Sequence, residues 1–563
     1  MRTSRRGFLR QSGLGAGAVW LAGQEGQRAE GGGGSKASAG HTGARRRLNP
    51  WRLEAVDLRR FMQLGVEHIY SGCVDRRRGC LPFVRFNLTN PPTWANHEHW
   101  GSPHMVGRFL DALALCAEII DVPRDEEAVN GLRKLLHDCL DTPHGLPFDT
   151  LPDPKGRRSG NMHHCREVLL ALVGLSKWWG CERSMDLARK LVRAMERATR
   201  ETGAYPSHML YENGWGKPED RWTNYTTGRA ITALVTYHQA TKDALAVDLA
   251  KRFAEDNIKR TMTPDGGLTE AAGTHLHSTE GTMAGLLYLG ELTGEKRYTE
   301  AGQQLYDGEL KRWRTSYGWA KESRRPSQGR GEANNTGDYI EAALVLARNG
   351  QRGYFEDAER FIRNGLLAAQ VVNTDWIPQS DDPDTADEVH SQIRKRARGA
   401  FAFTTPNGYH SYNTDLIGGS LRALCRAYHA TVAAAADGSG TCRLNMLLSA
   451  ESTSLTVRSS LPKEGRLEIR TKKASTLSVR QPKDVSARSI EVRVGGQMRP
   501  TRCERSELVV GRVPAGAEVA ISFDTPRRRT QEAAPGYKKP LDVEWQGDTI
   551  VAMQPTDGKI ALY

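Results

Sequence analysis

The chain has 563 residues, with 79 Lys+Arg against 66 Asp+Glu, a formal net charge of +13, 38% hydrophobic residues and nine cysteines, and it is too long for one ordinary domain. Residues 1–50 carry nine basic and two acidic side chains, residues 51–440 carry 49 and 50, and residues 441–563 carry 21 and 14. The neutral middle argues against a nucleic-acid-binding core, and with no run of about 18 apolar residues there is no integral membrane segment.

At the start, Ser4-Arg5-Arg6-Gly7-Phe8-Leu9 precedes a weakly apolar stretch from Leu14 to Ala22. This order is that of a twin-arginine signal over residues 1–22 and predicts export by the Tat machinery to the periplasm or the exterior. Residues 23–48, with four glycines from Gly31 to Gly34 and a basic Arg45-Arg46-Arg47, lack the apolar content to pack and read as a flexible linker. In an exported chain Cys73 and Cys80 are the best disulfide candidate. Cys116, Cys139, Cys165 and Cys425 sit in apolar helical runs and read as buried thiols.

From about residue 49 to 435 one pattern repeats: a polar motif, an apolar helix rich in small residues, a loop, and a charged amphipathic helix. The apolar helices begin near His104, His164, Thr227, Ser278, Thr336 and Asp415, at spacings of 60, 63, 51, 58 and 79 residues. Segments such as SMDLARKLVRAMERA and DALAVDLAKRFAED place apolar residues at i, i+3, i+4 and i+7, as an outer layer requires. The expected fold is mainly α, an (α/α)6 six-hairpin toroid, with an open helical solenoid as the alternative. A TIM barrel is excluded because no β-branched strand precedes each helix. From residue 442 to 563 apolar and polar residues alternate in short runs (LTVRSSL, GRLEIRT, SIEVRVGG), which predicts a C-terminal β-sandwich with an extended ending. The basic run Arg527-Arg528-Arg529 in it reads as a solvated face.

A toroid of hairpins gathers the residues before each inner helix at one end. Six clusters stand there: Trp94, Asn96, His97, Glu98, Trp100 and His104; Asn161, His163 and His164; Trp222, Asn224, Tyr225, Thr227 and Arg229; His275, His277, Thr279 and Glu280; Glu332, Asn334, Asn335 and Asp338; and His410, Tyr412, Asn413 and Asp415. Helix N-capping explains a lone Asn or Thr; it does not call for a His, a Trp or a carboxylate in every cluster. Trp94, Trp100, Trp215, Trp222, Trp319 and Trp376 fall in predicted loops. Rings beside Asn, His, Arg and carboxylates suit a sugar, whose C–H faces stack while its hydroxyls hydrogen-bond. The expected partner is therefore a carbohydrate.

Glycoside hydrolysis needs a proton donor and a second carboxylate across the scissile bond. Glu332 and Asp415, heading neighbouring inner helices, are the expected pair, with Glu322, Glu280 and Asp338 as further catalytic candidates. His275-Leu276-His277 and His163-His164 have no companion Cys, Asp or Glu at fixed spacing, so neither a metal nor any other cofactor is expected.

The stretches THLHSTEGTMAGLLYLGELTGEKRYTEAG and GRGEANNTGDYIEAALVLARNGQRGYFEDAERFIRNGLLAAQ, with the C-terminal run from RLNMLLS through VEWQGDTIVAM, resemble the β-L-arabinofuranosidase-like glycoside hydrolases of family 127 and relatives in the six-hairpin superfamily. That resemblance implies an (α/α)6 barrel with β-sandwich domains, a glutamate acid/base, a cysteine nucleophile, and a zinc held by one Glu and three Cys. Glu322 in WAKES takes the place of the acid/base and Glu332 in GEAN that of the zinc-binding glutamate. Asn334 stands where the next cysteine belongs, and Asn413-Thr414-Asp415 where the adjacent cysteine pair belongs. The function read from the sequence is thus an exported glycoside hydrolase with carboxylate catalysis, acting on plant or algal type glycans. The alternatives are a polysaccharide lyase using Asn224, Arg229, His277 and Tyr412, and a non-catalytic glycan-binding protein.

Overall fold

The computed structural model describes residues 46–98, 100–218, 222–435, 440–500, 502–556, 558 and 560–563. The expected export signal, and the linker up to residue 45, lie outside them. Arg45–Tyr563 forms one compact unit.

Twelve helices build its larger part: α1 (Leu58–Ser71), α2 (Ser102–Cys116), α3 (Glu126–Asp138), α4 (His164–Trp179), α5 (Glu182–Thr199), α6 (Arg229–Thr241), α7 (Ala244–Thr261), α8 (Leu276–Thr293), α9 (Lys296–Asp307), α10 (Ala333–Arg348), α11 (Tyr354–Phe361) and α12 (Leu416–Thr431). The six apolar segments read from the sequence are α2, α4, α6, α8, α10 and α12. Each packs against the next, and α12 packs back on α2, so the inner ring is closed. The solenoid alternative is thereby set aside. Outside the ring α3, α5, α7, α9 and α11 each cover the inner helix they follow, while the outer partner of α12 is α1, from the other end of the barrel sequence.

Small residues set the tightness of the ring. A Cβ on Gly107 of α2 would lie 2.6 Å from the backbone carbon of Glu167 on α4, and one on Gly337 of α10 would lie 2.9 Å from the Gly419 carbonyl oxygen on α12. Only glycine lets these backbones come so close.

Six short strands join into one antiparallel sheet: β1 (Arg85–Asn87), β2 (Trp94–Asn96), β3 (Gly331–Glu332), β4 (Glu388–Val389), β5 (Phe403–Thr405) and β6 (Gly408–Asn413), in the order β3-β5-β6-β1-β2-β4. Its register sets Phe403 opposite Glu332, Asn413 opposite Arg85 and Trp94 opposite Asn87. By sequence pattern alone this region reads as loops. Strands of two to six residues are too short to show a period, which is why they escape it.

Beyond α12, a five-stranded and a six-stranded sheet between Val432 and Ser522 bury Leu477, Val479, Leu508, Leu467, Ile469 and Ile521 in one shared cluster. The last strands, Arg527–Glu532, Leu541–Gln546 and Thr549–Gln554, form a separate antiparallel sheet. Leu541, Val543, Trp545, Ile550 and Met553 from that sheet belong to the barrel's core, a division that alternation alone does not reveal. Within the basic run, Arg528 lies over the Trp545 ring and within 4 Å of Asp484 and Asp548, and Arg529 pairs with Glu544.

Two expectations are corrected here. Leu48, placed in the linker, is fully buried; its N–H bonds the Ala561 carbonyl, and its own carbonyl accepts from Val372 and Asn373. Cys73 and Cys80 are free thiols: Cys80 points at the Glu127 carbonyl and Cys73 at Tyr412, so spacing in a loop did not bring the two sulfurs together. No helix among the described residues is long and apolar enough to cross a membrane.

Candidate active site

The outer helices α1, α3 and α7 begin with Asp57, Asp125 and Asp243, whose carboxylates accept from the first-turn N–H groups. All six inner helices lack such a bond: the residues at their starts, Gly101, His163, Gly228, His275, Glu332 and Asp415, make no side-chain cap. Apart from Asn161, which accepts from the His163 N–H just before α4, the polar side chains at this end are not spent on capping the inner helices, and several of them meet one another.

At the centre His277 bridges two carboxylates, with Nδ1 3.1 Å from Glu332 and Nε2 3.2 Å from Asp338. His275 Nε2 lies 3.9 Å from Glu332. Burial pushes the Glu332 carboxyl upward, but His277 and His275 outweigh it and hold Glu332 well below the ordinary carboxylate range. Across the mouth, Asp415 Oδ2 is 3.8 Å from His104 Nε2, and Arg108 donates to the Asp415 main-chain carbonyl. Burial raises Asp415, Arg108 pulls it down and the Glu332 charge adds to the rise, so it lies above the usual value. The two carboxyls thus differ in the sign of their shift, Glu332 downward and Asp415 upward.

The other three carboxylate candidates are more enclosed. Both oxygens of Glu322 are taken by the Arg330 guanidinium. Glu280 is fully buried, and burial together with Asp338 and Glu332 drives it well above the carboxylate range. Asp338 is held ionised against its burial by His277, Arg166 and Arg229.

A chain of rings runs round the mouth. His104 and His163 have centroids 4.4 Å apart, His163 stacks on Tyr225 at 4.2 Å, Tyr225 is edge-on to His275 at 5.9 Å, and His275 to His277 at 5.7 Å. Trp222 adjoins Tyr225 at 4.9 Å, and His164 lies 6.0 Å from His104. Burial lowers His104, His163 and His164, keeping these imidazoles neutral. Trp100 Nε1 donates to Glu98, and Trp94 lies half-buried on β2.

Several residues expected to touch substrate face the protein instead. His97 is held between the Pro82 carbonyl and Asp75 and stacks on Phe83. Tyr412 is buried with its hydroxyl on His68 of α1. Asn224 donates to Thr279, Asn335 to the Lys321 carbonyl, and Asn334 approaches the Asp415 carbonyl at 3.5 Å. Asn413 pairs in the β6 ladder and His410 stands exposed on the same strand. Of the loop tryptophans, Trp319 and Trp376 are buried, each indole donating to a main-chain carbonyl.

Of the charges one turn inside the ring, the sequence pointed to Arg229 but not to Arg108, Arg166 or Glu167. Arg108, Arg166 and Arg229 converge on Oε1 of Glu167 at 3.4, 2.9 and 2.8 Å, and Arg166 reaches on to Asp338 at 3.9 Å. Burial raises Glu167, yet the three arginines hold it well below the ordinary range. The signal was present: a charge within an otherwise apolar, small-residue helix must find a buried partner.

Residues 182–372 match the family described as beta-L-arabinofuranosidase, GH127 catalytic domain. The chain carries a catalytic domain similar to that of the GH127 enzymes. The match supports a glycoside hydrolase acting on carbohydrate. Among solved structures, the GH127 β-L-arabinofuranosidase Ara127N-Se from Geobacillus stearothermophilus T6 is 14% identical over 80% of this chain and 76% of its own, with a TM-score of 0.53. The GH127 β-arabinofuranosidase BT3674 is also 14% identical, over 87% of this chain and 78% of its own, with a TM-score of 0.56. At these identities the likeness is one of fold, the six-hairpin (α/α)6 barrel. No curated protein matches the sequence.

The thiolate zinc centre implied by the GH127 resemblance does not fit this chain. Glu332 is in place, but Asn334, Thr414 and Asp415 occupy the ground of its cysteines, and the cysteines present lie elsewhere: Cys116 faces Cys425 at 3.7 Å, Cys165 adjoins Tyr205 and Cys442 adjoins Ser475. A different set of donors does meet. His275, His277 and Glu332 each offer an atom within 4.8 Å of the others. Sequence spacing hid this set, because its carboxylate comes from the next hairpin.

Proposed function

We propose that this protein is an exported glycoside hydrolase in which Asp415 donates the proton to the departing sugar oxygen and Glu332 is the facing carboxylate. One observation supports this above the rest: at one barrel mouth burial and the Glu332 charge shift Asp415 upward, as a proton donor requires, while two imidazoles hold Glu332 well below the ordinary carboxylate range. Asp415 is also the more accessible of the two, with 18% of its side chain exposed. Glu322, the acid/base position by resemblance, has both oxygens occupied by Arg330 and serves this reading as a support.

The ring of Trp222, Tyr225 and the histidines supplies stacking faces for a neutral glycan, and the neutral charge of residues 51–440 fits plant or algal type polysaccharide better than a polyanion. Arabinofuranoside-containing glycans come first among candidate substrates, on the strength of the names of the similar structures. Arg5-Arg6 supports export, the barrel over 49–435 carries the chemistry, and the two-sheet unit after it reads as a β-sandwich. The lyase alternative is weakened by its own residues: Asn224, Arg229 and Tyr412 are each no more than 1% exposed and bonded internally.

The test is a panel of arabinans, arabinoxylans and algal glycans, read by release of reducing sugar. Asp415→Asn and Glu332→Gln are each expected to lose about 10²- to 10⁴-fold in kcat. Wild-type rates in both variants would overturn the assignment, and a new C=C absorbance on uronate polymers would favour the lyase.

A further inference from the structure

We propose that His275, His277 and Glu332 bind a divalent metal ion of the zinc type. Their donor atoms all lie within 4.8 Å of one another, and the two imidazole-to-carboxylate distances are 3.1 and 3.9 Å. Ligands about 2.0–2.1 Å from a tetrahedral ion sit about 3.3 Å apart, so small side-chain rotations close the set.

The neighbours of the two histidines carry the argument further. A metal-binding imidazole presents one nitrogen to the ion, and its other nitrogen is fixed by a hydrogen-bonding partner. His277 meets that condition, with Nε2 against the Asp338 carboxylate at 3.2 Å while Nδ1 is turned to Glu332. His275 does as well, with Nδ1 on the Ser278 hydroxyl at 2.7 Å and Nε2 on the side of Glu332. Asp338 is anchored in turn by Arg166 at 3.9 Å. Charge agrees: the ion pairs Glu332 makes among the described residues are to the two imidazoles, not to an arginine or lysine, so its negative charge is available to a cation. Two histidines and one glutamate leave coordination positions open for water or sugar hydroxyls.

The site rests on the hydrolytic reading only for its setting. With a cation in place Glu332 serves as a ligand and its charge no longer adds to the rise at Asp415, which then rests on burial. The donor set is also unlike the three cysteines and one glutamate of the GH127 resemblance, since it draws both imidazoles from the start of α8.

The experiment uses the full chain, stripped with a chelator and dialysed, then titrated calorimetrically with Zn²⁺, with bound metal counted by mass spectrometry. One equivalent is expected to bind to the wild type. His277→Ala and Glu332→Gln should reduce affinity more than about 100-fold, and Asp338→Asn about 10- to 100-fold. Ser278→Ala, a mild change that frees His275, should weaken binding about 10-fold, which guards against a loss due only to misfolding. Asp415→Asn should bind Zn²⁺ as the wild type does. Less than a tenth of an equivalent in the wild type, or equal binding in all the triad variants, overturns the proposal. Zinc binding without hydrolysis on the glycan panel leaves the metal site standing and removes the hydrolase. Equal hydrolysis by stripped, zinc-refractory protein does the reverse.

Discussion

Glu167→Gln probes the centre of the ring. The carboxylate meets three guanidinium groups on one oxygen, at 2.8, 2.9 and 3.4 Å, and all four side chains are at most 4% exposed. At 3 Å and an effective dielectric constant of about 20, each contact is worth about 5 kcal/mol of attraction, most of which desolvation cancels. Glutamine keeps the volume and one acceptor but leaves three buried cations facing one another. The expected loss is about 3–5 kcal/mol, the range for removing one partner of a buried ion pair. It is read as a lower denaturation midpoint in guanidinium chloride, followed by tryptophan fluorescence. Lys134→Ala, which breaks the exposed pair with Asp138, is the control and should change stability by no more than about 0.5 kcal/mol. The dependence on pH has a fixed sign. The Glu167 carboxyl is depressed in the folded state, so its contribution is complete above the ordinary unfolded value of about 4.3 and fades only as pH falls through the lower, folded value. The penalty should therefore be constant through neutral and mildly acidic pH. A loss under about 1 kcal/mol at pH 7 would refute the view that the arginines depend on Glu167.

Since Asp415 is raised by burial and by Glu332, kcat/KM should fall on the alkaline side at a pH above the ordinary carboxyl value; an unchanged alkaline limb in residual Asp415→Asn activity would remove it as donor. Glu322→Gln should cost less in kcat than Asp415→Asn, because Arg330 already occupies its oxygens, and the opposite order would return the acid/base role to Glu322. Gly337→Ala should destabilise by about 1–3 kcal/mol as α10 and α12 are forced apart, whereas Gly353→Ala, with open space at its Cβ and φ −58°, should not destabilise. Equal effects of the two glycine changes on thermal unfolding would sink the close-approach argument.

The inner helices were legible because six long segments share one composition, small and apolar with a polar head, and the observed starts at 102, 164, 229, 276, 333 and 416 follow that pattern. The outer partner of α12 was not, because it precedes the whole series and no local signal ties Leu58–Ser71 to Leu416–Thr431. The carboxylates of the mouth were named from their positions ahead of helices. Which way each side chain points depends on tertiary neighbours: Tyr412 and His97 read as substrate contacts until His68 and Asp75 engage them. The same limit hid the meeting of His275 and His277 with Glu332.

The pairing of α1 with α12 also sets an order of events. While the protein is being made, α1 emerges early and has only its smaller contact, with α2, until nearly the entire barrel has followed and supplies α12. The last inner helix also brings Asp415, so the incomplete ring lacks one of its two key carboxyls as well as its seal. Contacts so distant in sequence form late and slowly. In that interval the apolar face of α1 is available to chaperones, or to the α12 of another copy, and an exchanged α1 would yield a swapped dimer with two intact rings.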